Sequence, residues 1–307
     1  MVIFGQCVLG PPGAGKTTYC TGMQQLLGAL KRPRTLINLD PANDELPYDC
    51  DIDVRELVNV QDVMNELDLG PNGALLYAME YIEVNLDWLI TRIRQATSEF
   101  AVPYLFIDCP GQVELYTHNE VMTKITQQLV KALDVRLVAV HLIDSTLCVD
   151  AYRYLSAVFL SLSAMMQLEL PHINVLSKID MVMDHTDDLK FGLDYYAGVS
   201  DLSQLLWTLQ TTRHPMSVKF KEFNRQIAEL IEDYGLVSFE PLDIQDKECA
   251  LRVLGRCDTA NGHIMNSEKV EDPSDPVAGI RLFQAGFSDA GEFLDEYSER
   301  YEERFQQ

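Results

Sequence analysis

Residues 10 to 18 read "GPPGAGKTT" and fit the spacing G-x-x-x-x-G-K-[ST], placed after an apolar run and before a helical pattern. Glycine lets a backbone wrap closely round a phosphate, so this spacing predicts inward-pointing N–H groups from Gly13, Ala14, Gly15, Lys16 and Thr17. The helix that follows, with Thr18 in its first turn, adds the positive end of its dipole. Lys16 is then placed to reach β- and γ-phosphates, and the Thr17 hydroxyl to bind Mg²⁺.

A second element, "YLFIDCPGQVE", ends an apolar strand at Asp108, where a carboxylate can meet the metal or its water. Cys109, Pro110 and Gly111 then turn the chain, which carries Gln112 and Glu114 toward the γ-phosphate. A glutamine there can orient a water for in-line attack. Asp40, ending "INLD", belongs to the same rim and is a second candidate for the metal shell.

A third element selects a base. "NVLSKID" resembles the N-K-x-D guanine signature, with Ser177 in the first place, then Lys178 and Asp180. Guanine presents two donors, N1–H and the N2 amino group, that one carboxylate accepts together. Adenine presents an acceptor at N1 and would leave the desolvated carboxylate unpaired. Losing the asparagine bond to serine costs about 1 kcal/mol, so the aspartate decides the base. The Lys178 stem is expected to lie along the purine ring.

These residues need a scaffold that brings distant strand ends together. Apolar, partly β-branched runs at 2–10, 34–40, 104–110, 136–144, 172–180 and 236–243 are expected strands, and their unbroken apolarity suggests a sheet covered on both faces. Helical patterns lie between them. Leu75, Met79, Ile82, Leu86, Leu89 and Ile93 form a stripe at spacings of three and four, read as one long helix. Phe220, Phe223, Ile227, Leu230, Ile231 and Tyr234 form a second stripe. The alternation predicts an α/β fold: a three-layer, doubly wound, mostly parallel sheet of the P-loop NTPase kind. Before the Leu75 to Ile93 stripe stands "GPNG", residues 70–73, where Gly70 and Pro71 make a turn and Asn72 is expected to cap the helix.

The chain has 307 residues, of which 47% are apolar, enough for a sizeable core. Its net charge of -23, from 47 acids against 24 bases, repels nucleic acid and anionic membranes, so any bound phosphate must be held locally. No apolar run is long enough to cross a bilayer, and the N-terminus lacks the pattern of a secretory leader, which makes a soluble, cytoplasmic protein the expectation. Seven scattered cysteines with no Cys-x-x-Cys pair argue against a disulfide framework and a zinc site. The six histidines stand singly and are expected to be packed or solvated. After about residue 263 the periodicity fades, and the acidic tail is expected to be peripheral or flexible.

Taken in order, "GPPGAGKTTY", "NLDPAN", "GPNG", "DCPGQVELYTH" and "SKID" resemble the GPN-loop GTPases over roughly residues 3 to 262. "LPHINVLSKID" and "LVSFEPLDIQDKE" favour a eukaryotic branch of that family. The resemblance implies a SIMIBI-like domain over 1–262 with helical insertions at 60–100 and 185–235. It implies a Mg²⁺-dependent enzyme that cycles between GTP and GDP and works as a homodimer or as a heterodimer with a paralogue. It further implies a part in assembly and nuclear import of RNA polymerase II, extending to RNA polymerase III, through polymerase subunits or assembly factors, with shuttling to the nucleus. Carried over by position, residues 13 to 18 hold the phosphates and Mg²⁺, Asp108 and Gln112 serve the metal and the attacking water, and Ser177, Lys178 and Asp180 take the guanine positions. The segment 237–244 becomes the remaining wall of the base pocket. In the family the Gly70-Pro71-Asn72 tripeptide reaches into the partner's site, where Asn72 offers an amide to the transferring phosphate. Asn72 would fill the place of an arginine finger without its charge.

Two other classes stay open on the residues alone. A P-loop kinase would need an arginine-bearing lid, and arginines are sparse after the cradle. A nucleotide-binding scaffold without hydrolysis would need no Gln112. The long acidic segment 40–57 is a candidate nucleotide-sensing switch.

Overall fold

A computed structural model describes residues 2–43, 46–183, 189–199, 201–211, 220–263 and 290–305. Among the described residues seven strands form one sheet: β1 (Ile3–Leu9), β2 (Thr35–Asn38), β3 (Ile52–Asp53), β4 (Tyr104–Asp108), β5 (Val135–Asp144), β6 (His172–Ser177) and β7 (Phe239–Leu242). Their order is β3-β2-β4-β1-β5-β6-β7, and every pairing is parallel. The helices are α1 (Lys16–Ala29), α2 (Val60–Leu67), α3 (Pro71–Val84), α4 (Leu86–Thr97), α5 (Val121–Leu133), α6 (Ala151–Leu168), α7 (Ile179–Met183), α8 (Leu193–Gly198), α9 (Leu202–Thr211), α10 (Lys221–Tyr234), α11 (Lys247–Asn261) and α12 (Ala290–Phe305).

The period of two in each strand sorts side chains onto two cores. From β1, Phe4 and Val8 join the core that α1, α11 and α12 cover, while Ile3, Cys7 and Leu9 join the one that α2 to α5 cover. Both faces are dry, which is why the strands read as unbroken apolar runs. Six of the seven strands fall on the expected runs. The exception, β3, is a two-residue edge strand inside the acidic 40–57 segment, too short to leave a pattern.

A polar network crosses the apolar interior beside α1. Tyr19 of α1 donates to Gln6 Oε1 of β1 at 2.7 Å, and Gln6 Nε2 donates to the Tyr104 hydroxyl of β4 at 2.9 Å. Three buried partners with matched donors and acceptors fix the roll of α1 on the sheet. Tyr19 stands three residues after Lys16, so this network also aims the first turn of α1. Arg32, just past α1, makes a forked pair with Asp258 of α11 at 2.7 and 2.9 Å, which locks the far end.

Four expectations need correction. The Leu75 to Ile93 stripe is fully buried but belongs to two helices, because the chain breaks at Asn85, whose side chain donates to the Tyr81 carbonyl at 2.8 Å. Asn72 does not cap α3: Gly70 holds the cap position, Pro71 starts the helix, and Asn72 is exposed within the first turn. On α10, Ala228 and Ile231 are buried while Phe223 and Leu230 stay exposed, so the second stripe faces the core only in part. The tail after 263 is not peripheral where it is described: α12 buries Phe293, Leu294 and Tyr297. Residues 264–289 lie outside the described residues, as do His185 and His214. Burial pushes His141 down to about 3 and His172 to about 4, so both are neutral, packed rings at pH 7. Among the described residues no helix is long and apolar enough to cross a membrane.

Candidate functional site

Strand register explains how distant motifs meet. β4 lies between β1 and β2, with Val8 opposite Asp108 and Asn38 opposite Asp108. The Leu39 N–H donates to the Asp108 carbonyl at 2.8 Å, and the Cys109 N–H to the Val8 carbonyl at 3.1 Å. Three adjacent strands therefore end side by side in the glycine-rich loop, Asp108 and Asp40. In a parallel sheet this carboxyl rim is where ligands bind.

Within the loop, Gly13 and Gly15 stand at φ +80° and +91°, left-handed conformations that turn successive N–H groups toward one centre. Lys16 is buried at that centre, where its Nζ donates to the Gly10 carbonyl at 3.1 Å and the Pro11 carbonyl at 3.3 Å. Gly111 closes the space from the side. A Cβ there would sit 3.1 Å from Lys16 Nζ, so a larger residue would require the end of the lysine to shift by a few tenths of an ångström.

Burial raises the Asp108 carboxyl to about 6 against the opposing pull of a hydrogen bond from Tyr48 and the charge of Lys16. Tyr48 supplies that bond at 2.9 Å. Burial also raises Asp40, opposed by the N–H groups of Ala42 and Gly111 and by Lys16. Lys16 itself is lowered by burial, with Asp108 and Asp40 pulling the other way. Two desolvated carboxylates beside the Thr17 hydroxyl are a set of hard oxygen donors. That set fits Mg²⁺, which binds through one or two carboxylates, a hydroxyl and substrate phosphates. Gln112 is half-buried directly beyond Gly111, and Glu114 is exposed on the following turn.

The base half lies at the ends of β5, β6 and β7, where Asp144 is opposite Ser177 and Ser177 opposite Leu242. A pocket opens here between Gly15 and Thr18 on one side and Ser177, Lys178 and Asp180 on another. Its third wall is residues 242–245, within and just beyond the expected 237–244 segment. Ser177 is turned inward: its hydroxyl lies 2.8 Å from the Ala14 carbonyl and 3.0 Å from the Ile143 carbonyl, tying the phosphate loop to β5. Lys178 adopts a left-handed backbone at φ +58°. Its Nζ donates to the Gly13 carbonyl at 2.6 Å and pairs with Asp144 at 2.7 Å, which leaves the aliphatic stem along the pocket edge.

Phosphate loop, metal-shell carboxylates and base pocket are thus brought to one rim. Asn72 is not brought there: it is absent from the pocket lining, and its amide has no hydrogen bond among the described residues. Sequence reasoning missed Tyr48, Asp144 and the two tyrosines of α12 near the pocket, while Asp243 falls within the expected 237–244 wall. Only Asp144 carried a signal, as a polar residue ending an apolar strand.

Residues 8–263 match the family model described as "Conserved hypothetical ATP binding protein". The chain is 50% identical over 260 residues to GPN-loop GTPase 2 of Danio rerio, covering 85% of this chain and 81% of that one. It is 40% identical over 311 residues to GPN-loop GTPase 2 of Schizosaccharomyces pombe, covering 98% and 96%. A crystal structure of a GTPase in apo form from Pyrococcus abyssi superposes with a TM-score of 0.65 at 22% identity, over 85% of this chain and 97% of that one. That likeness supports the parallel-sheet fold.

Proposed function

The chain belongs to the GPN-loop GTPase family, on its GPN-loop GTPase 2 branch, and is a GTP hydrolase; from that premise we propose that it is a dimeric, Mg²⁺-dependent nucleotide switch for the assembly and nuclear import of RNA polymerase II. RNA polymerase III is a further client in this proposal, and the protein is cytoplasmic with shuttling to the nucleus. One observation carries it: a single rim joins the Lys16 cradle and the Asp40, Asp108 and Thr17 oxygens to a pocket containing Asp180. The family model's description names ATP, while the curated relatives are named GTPases. The carboxylate in the pocket favours guanine, for the donor count given above.

In the proposed reaction, Lys16 and the loop N–H groups hold the β- and γ-phosphates, and the Ser177 tie keeps that loop in register with the base pocket. Thr17, Asp40 and Asp108 would hold Mg²⁺, which neutralises charge on the phosphates when bound. Gln112 orients a water opposite the leaving oxygen. The missing donor comes from the partner subunit's Asn72. Its exposed place at the start of α3 leaves its amide available to a second chain, and the positive end of the α3 dipole points the same way.

Asn72→Ala should therefore lower single-turnover GTP hydrolysis about tenfold to a hundredfold, toward the loss seen when one preorganised donor is removed, with GTP affinity unchanged. Mixing it with Lys16→Ala should restore activity, because the mixed dimer pairs an intact cradle with an intact Asn72. A mixture as slow as Asn72→Ala alone would rule out donation across the dimer. The switch has its own check: polymerase subunits should be retained on the chain loaded with a non-hydrolysable GTP analogue and released on the GDP form, or the reverse. Equal retention in both states would exclude it.

A further inference from the structure

Helix α12 is fastened to two walls of the base pocket. Tyr297 and Tyr301 stand one turn apart on the same face of α12. Tyr297 is fully buried, and its hydroxyl donates to Asp243 Oδ2 at 3.0 Å. The other carboxylate oxygen of Asp243 accepts the Gln245 N–H at 2.9 Å, which fixes the turn carrying Leu242 to Gln245. Tyr301 donates to the main-chain carbonyl of Asp180 at 3.1 Å, at the start of α7. One helix thus bonds the 242–245 wall and the Asp180 wall, and both line the same pocket.

Neighbouring contacts hold α12 in that place. Phe293 lies against the Arg252 guanidinium, with 4.7 Å from Cζ to the ring centroid. Arg300 pairs with Glu248 in the first turn of α11 and stands 3.6 Å from Asp246, the cap of that helix. These contacts lie directly after the 242–245 turn in the chain. A carboxylate that reads two donors on a flat base must be held to a fraction of an ångström, and a short helix such as α7 has little backbone bonding of its own to hold it.

We propose that Tyr297 and Tyr301 are positioning residues for base recognition, so that α12 is a working part of the nucleotide site and detaching it loosens the hold on guanine. This rests on the assignment of the Asp180 pocket to the base. The cradle at Lys16 is the loop between β1 and α1, and these two hydroxyl bonds end on Asp243 and Asp180 rather than on it.

The test uses the full chain carrying Tyr297→Phe and Tyr301→Phe together, which removes two hydroxyls and keeps both rings. Affinities for GDP, ADP and inorganic triphosphate are measured by calorimetry, with Asp180→Asn in parallel. The expected result is a GDP affinity lowered about fivefold to twentyfold, in keeping with two hydrogen bonds of ordinary net strength, together with a smaller GDP over ADP preference and unchanged triphosphate binding. Unchanged GDP affinity and preference in the double variant, with preference lost in Asp180→Asn, would overturn the role of α12 alone. An equal loss for GDP and triphosphate would also overturn it, because α12 would then only support the fold. Preference retained in Asp180→Asn would remove the base assignment and this proposal with it. If the double variant does not fold, Tyr301→Phe alone carries the same comparison, since its ring is only partly buried.

Discussion

Lys16→Ala will abolish measurable binding of GTP at concentrations where the wild-type chain saturates. Lys16 is a buried ammonium at the centre of the phosphate loop, and burial lowers its pKa while Asp108 and Asp40 resist that shift. Phosphate oxygens supply the counter-charge that makes such a buried cation favourable. A hydrogen bond between charged groups is worth about 1.5 to 3 kcal/mol, so losing contacts to two phosphates weakens binding by about a hundredfold or more. Charge removal also leaves Asp108 and Asp40 near the γ-phosphate with less to offset their repulsion. Because Lys16 also donates to the Gly10 and Pro11 carbonyls, Lys16→Met is the companion variant, keeping the stem that fills the loop. Calorimetry on both separates a lost charge from a collapsed loop. Wild-type affinity in either one would end the assignment of residues 10–18 as the phosphate cradle.

What could be read from sequence was what acts locally. The glycine-rich loop announces itself because its glycines, lysine and threonine are consecutive and the conformation they need is set within a few bonds. Asp108, Asp40, Ser177 and Asp180 were legible as strand ends, since a polar residue closing an apolar run marks the rim of a parallel sheet. Their meeting is a fact of strand order, which no single segment contains. Tyr48 reaches Asp108 across 60 residues of chain, and Gln6 sits unremarked in an apolar strand because its partners Tyr19 and Tyr104 come from two other elements. The misreading of the tail has the same origin. Phe293, Tyr297 and Tyr301 recur every four residues, a narrow stripe that the intervening acids of "EFLDEYSERYEERF" outweigh in composition. Asn72 is the opposite case: its turn was plain, and the chemistry proposed for it needs a second chain.

Asp180→Asn will erode the preference for guanine and leave phosphate binding in place. The substitution keeps size and shape but converts one of two acceptors into an amide donor. Guanine then meets a donor with a donor at one of its two contacts, while adenine loses the penalty of an unpaired carboxylate. Each side moves the balance the same way, and the loss of one charged acceptor alone, at about 1.5 to 3 kcal/mol, reduces selectivity about tenfold to a hundredfold. Competition between GDP and ADP reads this directly, and undiminished GDP preference would refute the base assignment. A second nucleotide makes the result specific. Xanthine carries a carbonyl where guanine carries the N2 amino group, so the new amide donor of asparagine finds an acceptor there. XDP should therefore bind Asp180→Asn better than wild type while GDP binds it worse. A pocket merely damaged by the substitution would weaken both, and that contrast separates recognition by the side chain at 180 from its support of the fold.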